Sequence, residues 1–390
     1  MEFTLPPEID DMRRRIRRFV DEKLIPLESD RANFDEHENI APHVLVEMRK
    51  AAKAEGLWAL QMPKRLGGQE LPRIGMAACY EEMNRSIFGP VVFNSAAPDD
   101  GNMMILDRVL PEAMKPRWLQ PIVDGDVQSA FAMTEPDGCG SDPNLTYTKA
   151  ERVGNDRWRI TGRKWFITGA VGAAFGIVMA RTGNQATMFL LPLPAPGLTI
   201  ERVMGSVDHT MPGGHSVVRL DRVRVPRSMV LGELHEGFRY AQVRLAPARL
   251  THCMRWWGAA QRAHHIAARY AQGRTAFGKP LLEHEGVGFA LARNEIDLKQ
   301  TELMIDWAAW TLDQGQRGSS ESSMTKYACA ETLFQVVDRC VQVLGGSGIV
   351  DETPVSKIWR EIRGFRVYDG PSEVHLYSLA RKLGRNLPSN

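Results

Sequence analysis

The stretch Trp158-Arg-Ile-Thr-Gly-Arg-Lys-Trp-Phe-Ile-Thr168 decides the architecture. Its apolar residues alternate with polar ones or cluster in a short aromatic and β-branched run, as a strand with one buried face requires. Two further segments share this texture, Ala186-Thr-Met-Phe-Leu-Leu191 and Val217-Val-Arg-Leu-Asp-Arg-Val-Arg-Val225. Gly154, Gly162, Gly169, Pro194, Pro196 and Gly197 punctuate them as turns. The pattern predicts a small antiparallel sheet domain over 128–238.

On either side the period changes to that of a helix. Upstream, Ile9, Met12, Ile16, Phe19 and Val20 recur at three- and four-residue spacing, and residues 1–127 read as helical. Arg13, Arg14, Arg15, Arg17 and Arg18 fill the other faces of that first helix, and a solvated face with carboxylates nearby explains them better than nucleic acid does. Downstream, Leu281 to Leu312 and Met324 to Leu344 keep helical spacing, so 239–390 reads as a second helical region.

Composition fits a globular enzyme. The chain has 390 residues, 43% hydrophobic and 25% charged, with a net charge of +2. That balance gives no electrostatic argument for nucleic acid or a membrane. The five cysteines are scattered without C-x-x-C spacing, which argues against a zinc site or a disulfide framework and for a reducing cytoplasm. The N-terminus has no basic-then-apolar leader, and no apolar stretch reaches membrane-spanning length.

Two glycine motifs fail as nucleotide loops. Gly273-Arg-Thr-Ala-Phe-Gly-Lys279 has the glycines and lysine of a P-loop, but Pro280 stands where Ser or Thr must reach magnesium. Gly345-Gly-Ser-Gly348 lacks the third glycine of a dinucleotide fingerprint and follows a helix. Both nevertheless let backbone approach an anion, and helix C-caps are the competing reading.

Four segments in register resemble the acyl-CoA dehydrogenase family: Met133-Thr-Glu-Pro-Asp-Gly-Cys-Gly-Ser-Asp142, Lys164-Trp-Phe-Ile-Thr-Gly169, Arg274-Thr-Ala-Phe-Gly-Lys279 and Gln342-Val-Leu-Gly-Gly-Ser-Gly348. The resemblance spans essentially the whole chain. It implies a mostly α, α+β fold with an N-terminal helical domain (1–127), a middle β-barrel-like domain (128–238) and a C-terminal four-helix bundle (239–390). It also implies FAD. Phe131, Met133, Thr134, Ser141, Phe166 and Thr168 are then expected around the flavin. Arg274, Phe277, Gln342, Gly345, Gly346, Ser372 and Glu373 are expected along the rest of the cofactor. Ser141, Arg249 and Gly370 are expected at the substrate, and no metal is expected.

The same resemblance implies α,β-desaturation of an acyl-CoA thioester, with a carboxylate taking the α-proton. In Val367-Tyr-Asp-Gly-Pro-Ser-Glu-Val-His375, Asp369 occupies the position where the family usually carries glutamate. The family's other base position falls on Ala248, beside Arg249. Burial beside an acyl chain is expected to raise the pKa of Asp369. The competing reading is a helix cap ahead of Pro371. Electron-transferring flavoprotein is the acceptor implied, in a homodimer or homotetramer whose second subunit meets Arg274 and Phe277. A nitroalkane-oxidase-like oxidase and a non-catalytic DNA-binding flavoprotein are the alternatives.

Overall fold

The computed structural model describes residues 4–209 and 211–386. Its helices are α1 (Pro7–Phe19), α2 (Pro42–Ala54), α3 (Arg73–Met83), α4 (Asp99–Val109), α5 (Gly237–Gly273), α6 (Glu285–Asp313), α7 (Ser319–Leu344), α8 (Pro354–Phe365) and α9 (Ser372–Asn386), with shorter turns between them. Between α4 and α5 lie eight strands: β1 (Gln128–Ala132), β2 (Lys149–Val153), β3 (Arg157–Thr168), β4 (Ala173–Thr182), β5 (Gln185–Pro192), β6 (Leu198–Met204), β7 (His215–Pro226) and β8 (Val230–Leu231). The chain divides into two compact units. Of the described residues, one contains those up to Leu60, Leu71–Phe93 and those from Arg249 onward, and the other Gln61–Glu70 and those between Asn94 and Ala248.

In the sheet unit the strand order is β6-β7-β3-β2-β4-β5-β8, with β1 added parallel to β4. Trp158, Ile160, Ile167, Phe189, Leu191, Val218, Leu220 and Val223 form its core, and Trp158 meets Phe189 edge-on at 5.8 Å between ring centroids. The long β3–β7 pairing changes register between Lys164 and Ile167. An extra residue there bends the strand and re-aims its side chains. At this bulge Phe166 takes φ +52° and stands half exposed.

In the helical unit the charged run of α1 is ion-paired. Arg13 and Arg14 reach Asp10, and Arg17 lies near Asp21 and Glu82. The helix foreseen from Leu281 begins instead at Glu285, after a single turn of 3-10 helix over Leu281–Glu283. Pro280 and the extended His284 delay its start. Helices α5, α6 and α7 are long, and α7 ends at Gly345, which has φ +58°. All five cysteines are buried thiols. Among the described residues, no helix is long and apolar enough to cross a membrane.

Candidate active site

The expected site residues fall into two groups, one in each unit. In the sheet unit, the loop after β1 is anchored by a buried ion pair. Lys164 Nζ donates to Glu135 Oε1 and to the Met133 carbonyl, each at 2.8 Å. Glu135 also accepts from the backbone N–H groups of Tyr147 (2.6 Å) and Thr148 (3.0 Å). Burial alone would raise the Glu135 pKa, but Lys164 and these donors outweigh it and hold the carboxyl below its ordinary value. Burial likewise pulls Lys164 down against the attraction of Glu135. The Trp165 N–H donates to the Thr134 carbonyl (3.1 Å), tying the loop to β3. Gly138 is obligatory here, because a Cβ would sit 2.4 Å from the Leu145 carbonyl oxygen.

Around this anchor, Phe131, Met133, Thr134 and Thr168 are half-buried and Phe166 projects outward. The Phe131 ring carries the Arg244 guanidinium 4.1 Å from its centroid. Arg244 itself is buried and donates to Asn102 Oδ1 at 2.9 Å. Ser141 is exposed in the following turn. The Trp165 indole N–H is buried without an acceptor.

In the helical unit, Asp369 and Gly370 both adopt positive φ, +55° and +101°. Gly370 disfavours any side chain, since its φ strains an L residue and a Cβ would lie 3.0 Å from His375 Nε2. The loop is held from three sides. Arg249 Nε on α5 donates to the Asp369 carbonyl at 2.9 Å. Lys326 Nζ on α7 donates to the carbonyls of Phe365 (2.6 Å) and Gly370 (3.2 Å). Ser372 Oγ (2.5 Å) and Arg366 Nε (2.8 Å) both donate to Glu331. The Asp369 carboxylate faces α5, where His252 Nε2 lies 3.3 Å from Oδ2. Trp256 Nε1 donates to the neighbouring Tyr368 hydroxyl at 2.5 Å.

Burial depresses the pKa of Lys326 to about 8, with Cys253 and Asp369 acting in the opposite direction. His375 falls to about 4, through burial first and then the positive charges of Arg249 and Lys326. Burial also lowers Arg249. The Asp369 loop is therefore surrounded by basic groups, of which Lys326, His252 and His375 are buried.

The remaining expected residues sit on outlying parts of this unit. Arg274 is exposed at the end of α5, and Phe277 and Gly278 form the tip of a two-stranded hairpin pairing Thr275–Ala276 with Lys279–Pro280. Phe277 is 96% exposed at φ +52°, a conformation that bulky residues seldom adopt without cause. Gln342, Gly345 and Gly346 are exposed, and a Cβ on either glycine would meet open space. Gly345 does cap α7, as the helix-cap reading expects. Glu373 is exposed on the first turn of α9.

Sequence reading missed His252, Arg255, Lys326 and His375. The available signal was the run Arg249, His252 and Arg255, which repeats polar residues every three positions through an otherwise buried helix segment.

Comparison with known proteins gives one consistent picture. Residues 6–126, 130–219 and 235–384 match the models of the acyl-CoA dehydrogenase N-terminal, middle and C-terminal domains. A Mycobacterium tuberculosis protein named "Probable acyl-CoA dehydrogenase FadE2" is 37% identical over 98% of this chain and 96% of its own length. Chicken acyl-CoA dehydrogenase family member 11 is 37% identical over 94% of this chain, which spans about half of that longer relative (49%). Among solved structures, butyryl-CoA dehydrogenase from Megasphaera elsdenii superposes with a TM-score of 0.87 at 25% identity, covering 99% of this chain and 100% of that one. A glutaryl-CoA dehydrogenase from Mycobacterium smegmatis, in complex with FADH2, also gives 0.87 at 25% identity, covering 99% and 97%.

Proposed function

The chain belongs to the acyl-CoA dehydrogenase family, and from that premise we propose that it desaturates an acyl-CoA thioester with FAD as cofactor and Asp369 as base. The observation that carries the base is the Asp369 loop itself. A carboxylate in a strained backbone conformation, with Arg249 and Lys326 spent on the carbonyls of its loop and His252 beside its head group, is held for a purpose beyond folding.

The residues present fit FAD. In the sheet unit, a half-exposed aromatic at a bulge and an orphaned indole N–H suit a planar ring bearing acceptors. In the helical unit, the exposed Arg274 and the open backbone at Gly345 and Gly346 suit a pyrophosphate. FAD, when bound, supplies the acceptor for the hydride leaving Cβ.

The chain's own residues do the rest. Asp369 takes the α-proton. Arg249 and Lys326 occupy the carbonyls of Asp369 and Gly370, so the loop cannot turn when the substrate arrives. The backbone N–H of Asp369 supplies a donor for the thioester oxygen, whose polarisation makes the α-carbon acidic.

A homo-oligomer with electron-transferring flavoprotein as acceptor completes the reading. The support for the oligomer is apolar exposure: Phe277 is almost fully exposed, and Phe289, Ile296, Leu303 and Trp310 are exposed seven residues apart along α6. A purely monomeric holoenzyme by sizing with light scattering would contradict that part.

The primary test is anaerobic titration of the purified yellow protein with acyl-CoAs of several lengths. Bleaching by one of them supports the dehydrogenase reading. A flavin that no acyl-CoA bleaches, with oxygen uptake on nitroalkanes, would transfer the assignment to an oxidase.

A further inference from the structure

Thr168, His215 and Asp208 form one hydrogen-bonded chain in the sheet unit. Thr168 Oγ1 lies 2.9 Å from His215 Nδ1, and His215 Nε2 lies 3.0 Å from Asp208 Oδ2. Ser206 Oγ donates to the other carboxylate oxygen. Strand pairing builds the first link, because Thr168 on β3 is directly opposite His215 on β7. The side chains of His215 and Asp208 are 13% and 12% exposed, so water competes little for these bonds.

The chain has a direction. Burial by itself raises the Asp208 pKa, but the bond from His215, the charge of that ring when protonated and the bond from Ser206 bring it below the ordinary carboxylate value. An ionised carboxylate only accepts, so Nε2 of His215 carries the hydrogen. In the neutral imidazole Nδ1 is then a lone pair. Thr168 must donate its single O–H to that lone pair. What the hydroxyl offers to anything else is an acceptor.

We propose that Asp208 and His215 are positioning residues that hold the Thr168 hydroxyl as a hydrogen-bond acceptor toward the flavin ring, favouring the reduced ring over the oxidised one. The inference rests on the function proposed above and on the family resemblance, which implies that Thr168 lies at the flavin. Reduction converts a ring nitrogen lone pair into an N–H donor. A freely rotating threonine hydroxyl serves either state by donating or accepting, whereas one committed to His215 can serve only the donor of the reduced ring.

Asp208→Asn reverses the chain with little change of shape. Its amide N–H₂ donates to Nε2, Nδ1 becomes the N–H, and Thr168 is freed to donate to the oxidised ring. His215→Phe cuts the chain while keeping ring volume and serves if the first variant does not fold. The flavin midpoint potential of each holoenzyme is measured by dye equilibration at about pH 8.

Either variant is expected to move the potential negative, with the reduced-to-oxidised ratio falling roughly tenfold, or about 30 mV for a two-electron couple. In a Thr168→Val background the same substitutions are expected to add nothing. An unchanged or more positive potential, or an equal shift without the Thr168 hydroxyl, overturns the proposal. Titration of the same preparations with acyl-CoA separates the two levels. Bleaching with an unmoved potential defeats only this inference, while a shifted potential without bleaching defeats only the assigned reaction.

Discussion

Nη2 of Arg255 lies 3.1 Å from Nδ1 of His252. A guanidinium has no acceptor, so Nδ1 must accept and the ring hydrogen sits on Nε2. That nitrogen is 3.3 Å from Asp369 Oδ2. One oxygen of the proposed base is thereby engaged with α5. Arg255 is buried and also stands over the Tyr80 ring, which keeps its own position defined.

The histidine is therefore expected to orient the base rather than bind substrate. His252→Ala should lower kcat roughly tenfold to a hundredfold with KM within about a factor of three. Steady-state kinetics with the best acyl-CoA checks this. A rise in KM with kcat unchanged would place His252 in substrate binding instead.

Removing the carboxylate's charge should be far more severe. Asp369→Asn is expected to retain flavin and fold while losing about 10²- to 10⁴-fold in flavin reduction rate, the usual worth of a positioned base. Stopped-flow bleaching measures it directly. Near-normal turnover in the flavin-loaded variant would remove Asp369 from the role.

Lys326 gives a pH signature. Its folded pKa, about 8, lies below the 10.5 of an unperturbed lysine. Between those values the unfolded chain binds the proton that the folded one has lost, so stability rises with pH through that window. Relative to Lys326→Met, the wild type is expected to gain up to about 3 kcal/mol from pH 8 to pH 10.5. Urea unfolding of both proteins across that range is the check, and parallel curves would refute it.

The Lys164–Glu135 pair should behave as a buried ion pair whose loss strands a charge. Glu135→Gln is expected to cost about 3–5 kcal/mol and to loosen flavin binding through the 133–135 loop. Because the Glu135 pKa is lowered on folding, its contribution is full above the ordinary carboxylate range and is lost as pH falls through the lowered value. Thermal melts at neutral and acid pH should show the variant's deficit shrinking in acid.

Much of the fold was legible because strands and helices write their periods locally. The run from Trp158 to Thr168 lies within β3, Ala186 to Leu191 within β5, and Val217 to Val225 within β7. The motif glycines were legible for a related reason. Gly138 stands where a Cβ has no room and Gly370 at a φ that L residues rarely adopt, and that demand is visible as a residue type before any contact is known.

Residue type also singled out Asp369, but not what surrounds it. Phe166, Phe277 and Asp369 are three of the nine non-glycine residues at positive φ among those described, and nothing in their identities announces that strain. Arg249 read as a substrate contact, and the structure adds that its Nε holds the backbone of a residue 120 positions away. Ser372 read as a cofactor contact, and its hydroxyl is engaged with Glu331 on α7.

The sequence by itself determined where helices give way to strands, and which family motifs the chain carries in what order. Those properties depend on neighbours a few residues apart. Only the tertiary structure decided that His252 faces Asp369, that Lys326 lies under its loop, and that Asp208 reaches Thr168 through His215. Such pairings depend on helix rotation, strand register and burial. A hydrogen bond between groups distant in sequence leaves no period for a local reading to find.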